Sequence, residues 1–274
     1  MRRTLMTCFV LLITSFLLQA QELLVLKSAY LEKADTVLVF RPKTYNQMKK
    51  YPLVYLLHGY SENYKQWAKT TDLQKLSDQY GFIIVTPDGY TSFYLNSLFN
   101  KRSQYEDYFF NTLVPKIHHV FNIDASNIFI SGLSMGGYGA LRYFILHNDY
   151  FNSAGSSSGA LEIDYNNFQK VSQLFWNTDR LTDDLINNIG DPKTKNWNEY
   201  SITTLLREHP NFKRPFIFDC GTSDILYTDS KNLKVLVDSL NIPTTFISQP
   251  GEHNTEYWTK SIEHHFIFFK QLLK

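Results

Sequence analysis

Ile128-Phe129-Ile130-Ser131-Gly132-Leu133-Ser134-Met135-Gly136-Gly137-Tyr138-Gly139-Ala140-Leu141 is the stretch that decides the fold. Ile128–Ile130 reads as a short apolar strand, and residues 137–147 carry their apolar side chains in a helical pattern. The pentapeptide Gly132-Leu133-Ser134-Met135-Gly136 sits on the turn between them. A serine placed there is a nucleophile elbow: the tight turn holds it in a strained conformation with its hydroxyl exposed, and the flanking glycines remove the clashes a Cβ would cause. The helix that follows aims its positive N-terminal end at the same point, where it favours a developing oxyanion.

Outward from this turn, strand and helix alternate. Upstream, Leu23–Leu26 and Thr36–Phe40 have strand character, and Leu53–Leu57 is a continuous apolar run ending at His58-Gly59. Such runs suit strands buried on both faces of a sheet. Thr71 opens a helix pattern through Leu73, Leu76 and Tyr80, with Gln74 completing a capping box. Phe82–Val85 is a further strand, and residues 105–121 form a helix in which Pro115 demands a kink or a boundary. Downstream, the strands Phe216–Phe218 and Thr244–Ile247 flank a helix around Leu233–Leu240, and a last helix covers 256–272. The alternation predicts an α/β fold with a mainly parallel central sheet flanked by helices. Residues 160–214 interrupt it as a helical insertion between two late strands, bearing Phe175, Trp176 and Trp197, and are expected to cap the ligand end of the sheet.

Residues 1–20 stand apart from residues 21–274, which form a single domain. Arg2 and Arg3 precede an apolar run from Leu5 to Leu18, and Ala20 offers a small residue at its end. The run is shorter than the roughly 20 residues a spanning helix needs, so the pattern predicts a cleavable signal peptide and a secreted or periplasmic protein. Without Arg2 and Arg3 the 27 basic residues become 25 against 26 acidic ones, a balance that favours neither nucleic acid nor, beyond the leader, a membrane surface. Cys8 leaves with the leader, and Cys220 alone cannot form an internal disulfide. Stability then rests on the core, which 43 % hydrophobic and 19 % charged residues are well able to build.

A serine hydroxyl needs a base and an acid that orients it, and in this fold class the chain order is Ser, Asp or Glu, then His. Of eight histidines, His118, His119 and His147 lie on helices, His264 and His265 on the last helix, and His58 and His209 precede any suitable acid. His253 alone lies in a loop after a late strand, where α/β ligand chemistry sits. Asp224, beyond the turn at Gly221, is the preferred acid, with Asp219 and Asp229 as lesser candidates. The Met135 backbone N–H and that of Tyr60, after the bend at Gly59, supply the oxyanion hole, with His58 supporting that loop.

The chain resembles the esterase D-like esterase family of the α/β-hydrolase superfamily, from about Lys27 to the C-terminus. The resemblance rests on Tyr51–Gly59, Gly132–Ala140, Ser158-Gly159-Ala160-Leu161, Asp219–Asp224 and Gly251-Glu252-His253. The family includes tributyrin, feruloyl and acetyl-xylan esterases, S-formylglutathione hydrolases and the antigen 85 mycolyltransferases. The resemblance implies a Ser134–Asp224–His253 triad, an oxyanion hole at Tyr60 and Met135, and a substrate pocket lined by the loop Ser92–Ser97, with Tyr94 and Asn96; Trp176 of the insertion is a further candidate for that pocket. It implies acyl transfer without a metal or cofactor, on a small-molecule or carbohydrate-linked ester of acetyl or feruloyl type. An acyltransferase would use the same triad, and a catalytically silent carbohydrate-binding protein the same scaffold.

Overall fold

Alternate residues along β3 (Tyr51–Leu57) show why the sheet needs covering on both sides. Leu53, Tyr55 and Leu57 enter one core layer, and Val54 and Leu56 enter the other. In the computed structural model, which describes residues 21–274, β3 lies inside an eight-stranded sheet. The other strands are β1 (Gln21–Leu26), β2 (Asp35–Phe40), β4 (Ile83–Pro87), β5 (Ile123–Leu133), β6 (Ser153–Ser157), β7 (Phe216–Gly221) and β8 (Thr244–Gln249). Their spatial order is β1-β2-β4-β3-β5-β6-β7-β8. β2 pairs antiparallel with both β1 and β4, and the remaining neighbours are parallel. The expected leader, residues 1–20 with Cys8, lies outside the described residues.

The helices are α1 (Gln66–Thr70), α2 (Leu73–Tyr80), α3 (Tyr105–Tyr108), α4 (Val114–Val120), α5 (Met135–Leu146), α6 (Tyr165–Trp176), α7 (Arg180–Ile189), α8 (Ile202–Glu208), α9 (Tyr227–Ser239) and α10 (Thr255–Gln271). None of them is long and apolar enough to cross a membrane. The stretch expected as one helix over 105–121 is divided by a widened π turn at Phe109–Leu113, which places Pro115 in the first turn of α4, a position that tolerates proline. The cap of α2 is Asp72, whose carboxylate accepts the Lys75 N–H at 2.9 Å. This corrects the capping box expected at Thr71: Gln74 instead reaches Arg41 O and Asp78.

β6 has no counterpart in the sequence reading. Ser-Ala-Gly-Ser-Ser is fully buried between β5 and β7 although it contains no large apolar side chain. Small residues are required: a Cβ on Gly155 would stand 2.4 Å from His265 Nδ1, on α10. Between β6 and β7 the chain makes α6, α7 and α8, the insertion anticipated from the loss of strand patterning.

Candidate active site

The turn after β5 is as tight as its glycines suggest. A Cβ on Gly132 would lie 2.2 Å from the Gly136 carbonyl carbon, and one on Gly136 would lie 2.2 Å from Leu57 O. Ser134 between them has φ 53° and ψ −120°, a left-handed conformation that a serine adopts only when its surroundings enforce it. Its N–H is fixed by Ser157 O on β6 at 3.0 Å. α5 begins at the next residue, so its N-terminal dipole meets the hydroxyl.

The loops after β7 and β8 bring the other two groups. They are stitched together by Thr222 N–H to Gln249 O and Ser223 N–H to Gly251 O, both 2.9 Å. His253 Nε2 lies 3.0 Å from Ser134 Oγ, and its Nδ1 lies 2.9 Å and 3.1 Å from the two oxygens of Asp224. With a carboxylate on one side and a hydroxyl on the other, the neutral ring carries its proton on Nδ1 and leaves Nε2 free to accept. Burial acts to raise the Asp224 carboxyl, but the hydrogen bond and charge of His253, with the Leu226 N–H at 2.8 Å, hold it below its ordinary value. The edge of Trp258 and the ring of Phe175 flank the imidazole.

The loop after β3 is held by His58. Its Nδ1–H donates to Gly59 O at 2.7 Å, and its Nε2 accepts the Gly89 N–H at 2.6 Å. Tyr94 donates to His58 O at 2.8 Å, and Gln66 Oε1 accepts the Gly59 N–H at 2.7 Å. Every polar group around Gly59 is thus engaged, whereas the N–H groups of Tyr60 and Met135 have no acceptor among the described residues. The Tyr60 hydroxyl donates to Asp184 at 2.5 Å, and burial followed by that carboxylate pushes the phenol above its ordinary value.

Ser134 opens into a cavity of about 210 Å³ whose walls are mainly apolar, with the rings of Phe93, Phe168, Phe175, Trp176 and Trp258 among them. α6 of the insertion supplies three of these rings, Trp176 among them as anticipated. Tyr94 and Asn96 do not line it, which corrects the expectation for that loop. Consecutive positive φ angles at Phe93 and Tyr94 turn the first ring into the cavity and bury the second under Gly89 and Gly139. Asn96 instead accepts the Asp107 N–H. Within the loop Ser92–Ser97 expected at the pocket it is Phe93 that lines the cavity, and nothing in the sequence marked Gln66, since a glutamine in a helix carries no pattern.

The two lesser acid candidates lie elsewhere. Asp219 is buried against His265 Nε2 at 2.6 Å and the hydroxyls of Ser157 and Ser261. Asp229 is buried, and desolvation followed by the nearby Glu162 carboxylate pushes it up to about 7. Cys220 is buried too, and burial raises its thiol. Among the described residues no group of three or more His, Cys, Asp or Glu is arranged to hold a metal ion.

Residues 28–269 match the family described as "Putative esterase". The chain is similar to the acetyl esterase of Caldicellulosiruptor saccharolyticus, at 29 % identity over 229 residues covering 80 % of this chain and 83 % of the relative. It is also similar to the S-formylglutathione hydrolase of Arabidopsis thaliana, at 24 % over 264 residues, 87 % and 88 % of the two chains. Among solved structures, the fluorophosphonate-binding serine hydrolase FphF of Staphylococcus aureus superposes with a TM-score of 0.79 at 22 % identity, covering 92 % of this chain and 98 % of its own. A ferulic acid esterase superposes with a TM-score of 0.77 at 24 % identity, covering 93 % and 99 %. The architecture they share is the α/β-hydrolase fold.

Proposed function

The chain belongs to the "Putative esterase" family and is a carboxylic-ester hydrolase, and on that premise we propose that it works through an acyl-enzyme on Ser134. Ser134 Oγ attacks the ester carbonyl as its proton passes to His253 Nε2. The Tyr60 and Met135 N–H groups stabilise the oxyanion. Collapse breaks the ester C–O bond, and His253 returns the proton to the departing alcohol. Water, deprotonated by the same nitrogen, then attacks the acyl-serine and releases the acid. Asp224 keeps the proton on Nδ1 and stabilises the imidazolium. The observation that carries this reading is the continuous hydrogen-bonded chain from Asp224 through His253 to Ser134 at the floor of a cavity.

The substrate we assign is a carbohydrate-linked ester of a small acid, acetyl or feruloyl. A cavity of about 210 Å³ suits an acyl group of that size, and the rings of Phe93, Phe168 and Trp176 suit an aromatic acid. Similarity to proteins named acetyl esterase and ferulic acid esterase supports the same two groups. The leader pattern of residues 1–20 supports action outside the cytoplasm, secreted or periplasmic. Purified protein is expected to hydrolyse p-nitrophenyl acetate, with kcat falling by at least about 10⁴-fold in Ser134→Ala. Equal activity in the variant would refute the acyl-enzyme on Ser134. Acetylated xylan and methyl ferulate then identify the acyl group, and turnover of neither would overturn the assigned substrate class.

A further inference from the structure

Gly59 makes the bend that precedes the Tyr60 N–H, and it is the residue type least able to hold a bend by itself. A Cβ there would stand 2.9 Å from Leu133 Cδ1 and 3.4 Å from Ser134 Cβ, so the close approach of this loop to the elbow requires glycine. Glycine also leaves φ and ψ at their freest, and rotation about either would swing the Tyr60 N–H out of line. The peptide groups on both sides of Gly59 must therefore be held from outside.

The peptide that carries the Tyr60 N–H is held at its carbonyl. Gly59 O accepts from His58 Nδ1 at 2.7 Å and from the Glu62 N–H at 3.3 Å. On the preceding peptide, His58 O accepts the Tyr94 hydroxyl at 2.8 Å, and the Gly59 N–H donates to Gln66 Oε1 at 2.7 Å. Gln66 differs from the His58 and Tyr94 side chains in also lining the Ser134 cavity. The point 3.4 Å from Ser134 Cβ where a Gly59 Cβ would sit is 3.5 Å from Gln66 Oε1. The carboxamide and the nucleophile thus face each other across one glycine.

The helix that Gln66 opens keeps it there. Trp67, the next residue of α1, is buried and donates from Nε1 to Leu57 O at 2.9 Å. α1 therefore grips the loop on both sides of His58, at Leu57 O and at the Gly59 N–H. The Gly59 bond is the one hydrogen bond that the Gln66 side chain makes among the described residues. Turning its amide over would set a donor against a donor, so the orientation is fixed. We propose that Gln66 is a positioning residue of the oxyanion hole: it fixes Gly59, and through Gly59 the Tyr60 N–H, at the place where the oxyanion forms. The proposal rests on the acyl-enzyme reading of Ser134.

Gln66→Leu keeps a side chain of similar size and removes the acceptor. Its kcat on p-nitrophenyl acetate is expected to fall about ten- to hundredfold, somewhat less than the loss of about 10²–10³ for a donor removed outright. KM should change little, because the oxyanion recurs in acylation and deacylation alike. The discriminating substrate is the corresponding thionoester, whose C=S sulfur is a weak acceptor and gains little from the hole. Its turnover should stay within about threefold of wild type, so that the ester-to-thionoester ratio of kcat/KM falls by about tenfold or more. Equal losses on both substrates overturn the positioning role, since a displaced triad or a loosened fold slows both alike; no loss on the ester overturns it as well. Gln66→Ala, at a partly exposed helix position, carries the same comparison should the leucine variant melt below the assay temperature. Ser134→Ala, assayed beside them, keeps the premise apart. Wild-type activity in Ser134→Ala overturns the acyl-enzyme and the positioning role together, whereas an inactive Ser134→Ala with an unchanged ratio in the Gln66 variants overturns the positioning role alone.

Discussion

Replacing Asp224 by Asn should disable the enzyme by reversing one proton rather than by disturbing the fold. Asp224 Oδ1 accepts the buried Leu226 N–H at 2.8 Å, and Oδ2 faces His253 Nδ1 at 2.9 Å. An asparagine must keep its oxygen toward Leu226, since turning it round would leave that donor unpaired. Its NH₂ group then faces Nδ1, which must give up its proton and accept. The imidazole carries the proton on Nε2 instead, pointing a donor at Ser134 Oγ 3.0 Å away. In that tautomer His253 cannot receive the serine proton, and the carboxylate that stabilises the imidazolium is gone as well. For a buried triad acid this amounts to about 10⁴ in kcat, or about 5–6 kcal/mol at roughly 1.4 kcal/mol per tenfold. KM should change little, because Asp224 does not line the cavity. Steady-state hydrolysis of p-nitrophenyl acetate, beside thermal melts to establish folding, measures both. A loss of less than about tenfold, when the full effect of such a change is about 10⁴, would refute the assignment. A larger loss in a well-folded Asp219→Asn would move the role to that residue.

Asp229 makes a separate prediction about stability. Its buried carboxyl, pushed up to about 7 from 3.8, is neutral in the folded chain and ionised in the unfolded one between those values, so stability is full at low pH and falls as pH rises through that window. Urea midpoints should show a loss of about 2–3 kcal/mol between pH 5 and 7.5 that Asp229→Asn abolishes, and an equal slope in both proteins would contradict it. Gly136→Ala should cost about 1–3 kcal/mol or prevent folding, because the new methyl must displace the Leu57 carbonyl and with it the oxyanion loop. Retention of wild-type melting temperature and kcat would show that the turn can relax.

How much of this could be read from the sequence depended on whether the signal was local. The strand, the glycines and the helix around Ser134 are adjacent in the chain, so the elbow was legible. His253 was found because its alternatives fall on helices or precede the acid. β6 was not legible, because its burial reflects tight neighbours rather than apolar side chains: Gly155 makes room for His265, and Ser157 bonds Asp219 and Ser261. Phe93 and Tyr94 could not be told apart, since their left-handed backbone is set by contacts with Gly89, Gly139 and His58. Asp224 was preferred to Asp219 for its place beyond the turn at Gly221, and the structure adds the reason the two differ: His253 takes one carboxylate and His265 the other.

That last choice shows what distinguishes a catalytic chain of hydrogen bonds from a supporting one. Ser131 Oγ meets His265 Nδ1 at 2.7 Å, and His265 Nε2 meets Asp219 at 2.6 Å, so the molecule contains a second serine, histidine and aspartate in sequence. Their hydrogen bonds are at least as short as those of Ser134, His253 and Asp224. Yet Ser131, His265 and Asp219 are 0 %, 0 % and 1 % exposed, and no ester could reach the hydroxyl. Ser131 points from a regular strand, whereas Ser134, three residues on, is thrown out of the sheet by its left-handed turn. The buried set joins β5, β6, β7 and α10 at the level where Ser157 O holds the Ser134 N–H and Asp219 O holds the Ser158 N–H. Hydrogen-bond geometry is therefore shared by both sets. Backbone strain and an open cavity are what make Ser134 the one that can react.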